Sequence, residues 1–201
     1  MAKVTELNIK QKNPLGSGAY HGVFPFERFQ DKVVKSKLGR LEFTGNHVKN
    51  VDKSDKMNLD EINVFKRYPN LFAKVYTSNE RYAILEKLDQ PSLEHDINGV
   101  SQGMLDYLRK YPKKNKFFTS RFMRPEDLDA SVYLNLYMKN DKTLIKGIFD
   151  YTKDKKFFMK LVDFLYKLDN IDLPRGYRKM IDIQKANMGY DKDKNIKMLD
   201  I

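Results

Sequence analysis

The period of the hydrophobic pattern changes near Asp89, and that change constrains the fold more than any single motif. Before it, KVVK (32–35), FAKVYTS (72–78) and RYAILEKL (81–88) are short runs of β-branched and aromatic residues bounded by polar turns, as strands are. Between the first two, residues 55–68 carry Ile62, Val64, Phe65 and Tyr68 at helical spacing, and Pro69 closes the pattern. After Leu88 the helical period takes over, in residues 92–110, 126–139 and 143–151. The clearest case is FFMKLVDFLYKL (157–168), where Phe157, Phe158, Leu161, Leu165 and Leu168 line one stripe. LPRGY (173–177) breaks this helix, and the polar segment DIQKAN follows. Strands first and helices after, without an internal repeat, predict an α+β fold. The expected domains are a β-rich unit with one helix, residues 1–88, and a mainly helical unit, residues 89–201.

The chain is long enough for either one large domain or two small ones, and its 13 Phe, 12 Tyr and 41% hydrophobic content supply a core. No apolar run reaches bilayer-spanning length, and MAKVTELNIKQK lacks a signal-peptide core, so a cytoplasmic protein without a membrane partner is expected. The absence of Cys excludes disulfides, thiolate metal sites and Cys nucleophiles. His21, His47 and His95 lie far apart and show no metal-ligand spacing. The net charge of +11 is spread along the chain, with Lys often beside Asp, as in KNDK and YDKDK. That pattern describes a solvated surface, so nucleic acid is the weaker candidate partner despite the basic stretch YPKKNKFF (111–118).

Several residues carry specific chemistry. In LGSGAYHGVF (15–24), Gly16 and Gly18 let the backbone turn tightly and offer amides to phosphate oxygens, with Ser17 between them. On an extended strand Val33 and Lys35 share a face, so Lys35 can enter a pocket that Val33 helps to line. Glu61 lies on the face of its helix that carries Val64, Phe65 and Tyr68. A carboxylate there is costly unless paired. Lys35 is the available partner, with Asp60 as the rival carboxylate.

Taken in order, these parts resemble a protein kinase. Gly16, Gly18 and Val23 fall on the G-x-G-x-x-G-x-V frame, with His21 at its third Gly position. Asp182, Asn187 and Asp200 have the spacing of the D-x-x-x-x-N motif and the later metal-binding Asp. The chain is also similar in outline to early protein kinases of bacteriophages. The resemblance covers about residues 12–201 and implies a two-lobed, protein kinase-like fold with a small β-rich N-lobe and a reduced helical C-lobe. It further implies that residues 16–23 cover the phosphates of ATP, and that Lys35, aimed by Glu61, holds the α/β-phosphates. Leu85 becomes the gatekeeper, with the Glu86–Leu88 backbone at the adenine edge. Asp182 orients the acceptor hydroxyl, and Asn187 and Asp200 bind Mg²⁺.

The pattern also departs from that family. Met180 and Ile181 replace the His and Arg before the catalytic Asp, and the sequence stops at Ile201, so control through an activation loop is not expected. Gln184 stands where a phosphate-neutralising Lys belongs, and Lys185 one place later is the candidate substitute. The leading expectation is an ATP- and Mg²⁺-dependent transferase acting on Ser/Thr of protein, with a host protein as a candidate substrate, in the host cytoplasm if phage-encoded. Its alternatives are a nucleotide-binding pseudokinase that occupies a host protein, a kinase-fold phosphotransferase for a small molecule, and a non-catalytic basic module for nucleic acid.

Overall fold

A computed structural model describes residues 16–17, 21–25, 29–37, 41–44, 47–50, 59–80, 82–111, 124–140, 142–173, 181 and 183–200. These residues form an α+β fold, with helices and small, mainly antiparallel sheets. The chain divides into two compact units. One takes residues 1–69 and 73–87, and the other takes Asn70–Phe72 and Leu88–Ile201.

The first unit is built around β3 (Lys32–Lys37), whose Val33, Val34 and Lys35 are all buried. It pairs on one side with β2 (His21–Pro25), which pairs with β1 (Gly16–Ser17). On the other side it pairs with β7 (Tyr82–Glu86), which pairs with β6 (Val75–Ser78). The strand order is therefore β1-β2-β3-β7-β6, antiparallel throughout. Leu41–Thr44 (β4) and His47–Asn50 (β5) pair separately. In β7, Ala83 and Leu85 are fully buried and alternate with half-buried neighbours, as one covered sheet face requires. Helix α1 (Leu59–Arg67) buries Glu61, Ile62, Val64 and Phe65. Asp60 and Glu61 in its first turn and Lys66 and Arg67 in its last match the helix dipole. The expected strand at 72–78 is shorter: Phe72 makes a single bridge to Met198 within the second unit, and the strand proper starts at Val75. Residues 55–58 of the expected helix lie outside the described residues.

In the second unit, α2 (Gln90–Lys110) starts where the Asp89 carboxylate accepts the Ser92 amide at 3.2 Å, with Pro91 in the first turn. The helix expected at 126–139 is broken in two. Pro125–Asp127 form a 3₁₀ turn, Leu128 is extended and fully buried, and α3 (Ala130–Asn140) begins after it. Asp129 explains the restart, because its carboxylate accepts the Ser131 amide at 3.1 Å and so caps a new helix. Helix α4 (Lys142–Tyr151) follows, then α5 (Lys155–Asp169), capped by Asp154 through the Phe157 amide at 2.8 Å. Helix α5 buries Phe157, Phe158, Leu161, Phe164, Leu165 and Leu168, the stripe read from the sequence with Phe164 added. A hairpin of β8 (Met188–Tyr190) and β9 (Ile196–Met198) closes the unit. It is held by two Asp89–Tyr190 backbone bonds and by the Met198 amide on the Leu71 carbonyl at 2.8 Å. Among the described residues, no helix is long and apolar enough to cross a membrane.

Candidate functional site

In the first unit, one row of paired residues crosses all five strands: Gly16, Val23, Lys35, Ala83 and Ser78. Residues directly opposite each other share a sheet face, so Val23 and Ala83 flank Lys35. The Lys35 ammonium pairs with the Glu61 carboxylate, and both groups are nearly inaccessible, at 1% and 3% exposure. Its Nζ also lies 5.4 Å from the centre of the Phe65 ring. Burying two charges is expensive unless they meet in good geometry, and helix α1 supplies that meeting. Val33 and Leu85, two pairs further along the strands, lie on the same face and are buried.

Ser17 pairs with Gly22 in the β1–β2 ladder, while Gly18 lies outside the described residues. The Glu86 amide donates to the Lys74 carbonyl at 2.9 Å, and its carboxylate accepts the Lys74 amide at 3.1 Å. The Lys87 amide donates to Asp31 at 2.9 Å. Leu88, 6% exposed, belongs to the second unit.

In that second unit, Asn187 ends a 3₁₀ turn, Lys185–Asn187, that runs directly into β8. The β8–β9 register sets Met188 against Met198. It is extended by the Leu199 amide on the Asn187 carbonyl at 2.7 Å. The hairpin thereby brings Asn187 beside the Leu199–Asp200 segment, and both Asn187 and Asp200 are half-buried. Asp182, the third residue of the motif, lies outside the described residues. Among the described residues, no group of three or more His, Cys, Asp or Glu side chains could hold a metal. Asn187 and Asp200 carry one amide oxygen and one carboxylate on adjoining backbone stretches. Mg²⁺ fits such a pair when waters and substrate phosphates complete its shell.

The turn before Asn187 is pinned from several sides. Lys185 donates its backbone amide to Asp129 Oδ2 at 2.6 Å, and Gln90 Nε2 donates to the Ala186 carbonyl at 2.6 Å. The Lys185 ammonium donates to Asn98 Oδ1 and to the Glu126 carbonyl, both at 2.8 Å, and lies 3.4 Å from Glu94. To neutralise a phosphate, Lys185 must first give up these partners, so in this structure it acts as a strut. Of these partners, Asp129 alone carried a local signal, as a helix N-cap followed by Ala130 and Ser131.

The hairpin turn is equally well tied. Asp191 accepts the amides of Asp193 and Asn195 at 2.9 and 2.8 Å, Asn195 Nδ2 at 3.1 Å, and Lys197 Nζ at 3.3 Å. Burial pushes this carboxyl upward, but the Asn195 and Lys197 donors outweigh it and hold it below the ordinary Asp value. Tyr190 donates to Asp96 Oδ2 at 2.6 Å, and burial followed by that carboxylate pushes its phenol well above the ordinary value.

No known protein-family model matches the chain. A protein of Buchnera aphidicola subsp. Acyrthosiphon pisum (strain APS), described as a flagellar hook-length control protein homolog, is 22% identical over 178 residues. The match covers 79% of this chain and 71% of the relative. That similarity overturns the expectation of γ-phosphate transfer to Ser/Thr of protein, its alternatives of a pseudokinase that acts by occupying a host protein and of a small-molecule phosphotransferase, and the description of the chain as a kinase or transferase. The relative's name points to control of hook length, and a kinase-like order of motifs carries no chemistry by itself. D-x-x-x-x-N is also short enough to recur by chance in a chain rich in Lys, Asp and Asn.

Proposed function

We propose that the chain adopts a protein kinase-like, two-lobed fold and binds a nucleoside triphosphate with Mg²⁺, ATP being the expected form. The observation that carries this reading is the buried Lys35–Glu61 pair, set in a row with Val23 on the central strand of the first sheet. A buried ammonium oriented by a carboxylate is suited to meet phosphate oxygens. Separately, and within the second unit alone, Asn187 and Asp200 are the proposed oxygen ligands of Mg²⁺, with water completing its shell. A cytoplasmic setting accompanies this reading. The proposal stops at binding and includes no group transfer.

Calorimetric titration with ATP and Mg²⁺ tests it. Binding is expected, with unfolding stability raised by about 2.7 kcal/mol at a ligand concentration one hundred times Kd. The shape-matched double variant Lys35→Met/Glu61→Leu is expected to lose binding, and Asp200→Asn to lose its Mg²⁺ dependence. Neither heat nor stabilisation at millimolar ATP and Mg²⁺ overturns the reading.

A second reading rests on the similarity reported above, and places the chain in flagellar hook-length control. Deleting its gene in a flagellated source organism then alters hook length, and an unchanged length distribution refutes that reading.

A further inference from the structure

The Asp129 carboxylate divides its two oxygens between two helical starts. Oδ1 accepts the Ser131 amide at 3.1 Å, together with the Ser131 hydroxyl, and so caps α3. Oδ2 accepts the Lys185 amide at 2.6 Å, the first amide of the Lys185–Asn187 turn. That turn has no cap of its own, because Gln184, at its cap position, makes no side-chain capping bond. A short 3₁₀ turn has exposed amide donors at its start, and a carboxylate there satisfies one donor while favouring the local dipole. Here the carboxylate comes from 56 positions upstream.

We propose that Asp129 is a shared N-cap and a positioning residue: by fixing the Lys185 amide it sets the turn that presents Asn187 to a divalent cation. The second half of this statement rests on the metal reading given above. Asn187 follows Lys185 by two residues, and its own amide donates to the Gln184 carbonyl at 2.9 Å, which closes the turn from Gln184 to Asn187. The Ala186 carbonyl is held by Gln90, which fixes the middle of the turn while Asp129 fixes its start.

Asp129→Asn separates the two capping roles. Asn caps helices as well as Asp does, so α3 keeps its cap through the amide oxygen. The NH₂ group then faces the Lys185 amide, donor against donor. Hydrogen exchange of the Lys185 and Asn187 amides is measured in the full chain, beside Mn²⁺ affinity in the presence of ATP, read by electron paramagnetic resonance. The variant is expected to exchange at least tenfold faster at Lys185, to leave the α3 amides unchanged, and to bind Mn²⁺ several-fold more weakly. Leu161→Ala, which loosens the helical core elsewhere, serves as the control and is expected to leave Mn²⁺ affinity unchanged. Unaltered exchange at Lys185 overturns the shared cap. Faster exchange with wild-type Mn²⁺ affinity, or an equal loss in the Leu161→Ala control, overturns the positioning role. If the wild type binds no Mn²⁺ with ATP, the metal reading and the positioning role both fall, and the exchange result still decides the cap.

Discussion

Replacing Glu61 with Leu leaves the Lys35 ammonium at 1% exposure without its carboxylate partner. Breaking a buried pair by removing one partner typically costs about 3–5 kcal/mol, because the remaining charge stays desolvated. The Phe65 ring, 5.4 Å from Nζ, faces the ammonium with or without Glu61, so that contact cancels in the comparison. The expected destabilisation is therefore about 3–5 kcal/mol, a large share of a typical domain's roughly 5–15 kcal/mol. Adding Lys35→Met to the same chain replaces the pair by apolar groups of similar volume. Such replacements are often neutral or stabilising by about 1–4 kcal/mol. The double variant is thus expected to unfold near the wild type, and the two single changes should be strongly non-additive. Urea unfolding of all four chains, followed by far-ultraviolet circular dichroism, measures the cycle. A Glu61→Leu midpoint within about 0.5 kcal/mol of wild type, the range of ordinary surface changes, refutes the claim that this pair is a desolvated, coupled unit.

Asp191→Asn tests the hairpin turn through pH. Because the folded carboxyl is held below its unfolded value near 4, its contribution is complete above that value and is lost as pH falls through the folded one. The variant should be less stable than wild type at pH 7, and the gap should narrow by pH 3; a gap that urea midpoints show to be constant with pH contradicts the assignment. Gly189→Ala places a Cβ 2.6 Å from Leu88 Cβ, so it should cost about 1–3 kcal/mol by overpacking, measured in the same unfolding assay. Leu161→Ala, at a fully buried position on α5, should cost about 2–5 kcal/mol, and a smaller loss would mean that the helical core collapses around the gap. Asp154→Ala should remove the α5 cap at a cost of about 1 kcal/mol and speed hydrogen exchange at the Phe157 amide.

What the sequence revealed follows physical range. Helix α5 was legible because its stripe, Phe157 to Leu168, repeats over about three turns, long enough for the 3.6-residue period to stand out. The Lys35–Glu61 pair was legible for a different reason. A carboxylate on an apolar helix face raises a demand that only a cation can meet, and a buried strand offered one. Strands β8 and β9 were not foreseen, since three residues are too few for any period and their pairing depends on Leu71, Asp89 and Asn187. The break at Leu128 was missed because apolar residues continue on both sides of it, and the Asp129 cap hides inside that pattern. Most of the network around Lys185 had no local signature, because Gln90, Glu94 and Asn98 meet it only once the unit has folded. The function was misread at a further remove. Motif order describes an arrangement of groups, and the chemistry done with it is a separate property.

The short segment Asn70–Phe72 stands apart from its sequence neighbours and belongs to the second unit, where Leu71 receives the Met198 amide. Order of synthesis and order of closure therefore differ. A ribosome releases Leu71 early, but its partner strand emerges only after most of the remaining chain, so this contact carries a large loop-closure cost. The same feature governs fragment design. A piece cut at residue 89, where the hydrophobic pattern changes, starts without Leu71 and Phe72 and leaves β9 with an unclosed edge, prone to pair with another copy. Supplying residues 70–72 through a linker, or as part of a circularly permuted chain, restores the missing carbonyl and makes the helical unit a better candidate for independent expression.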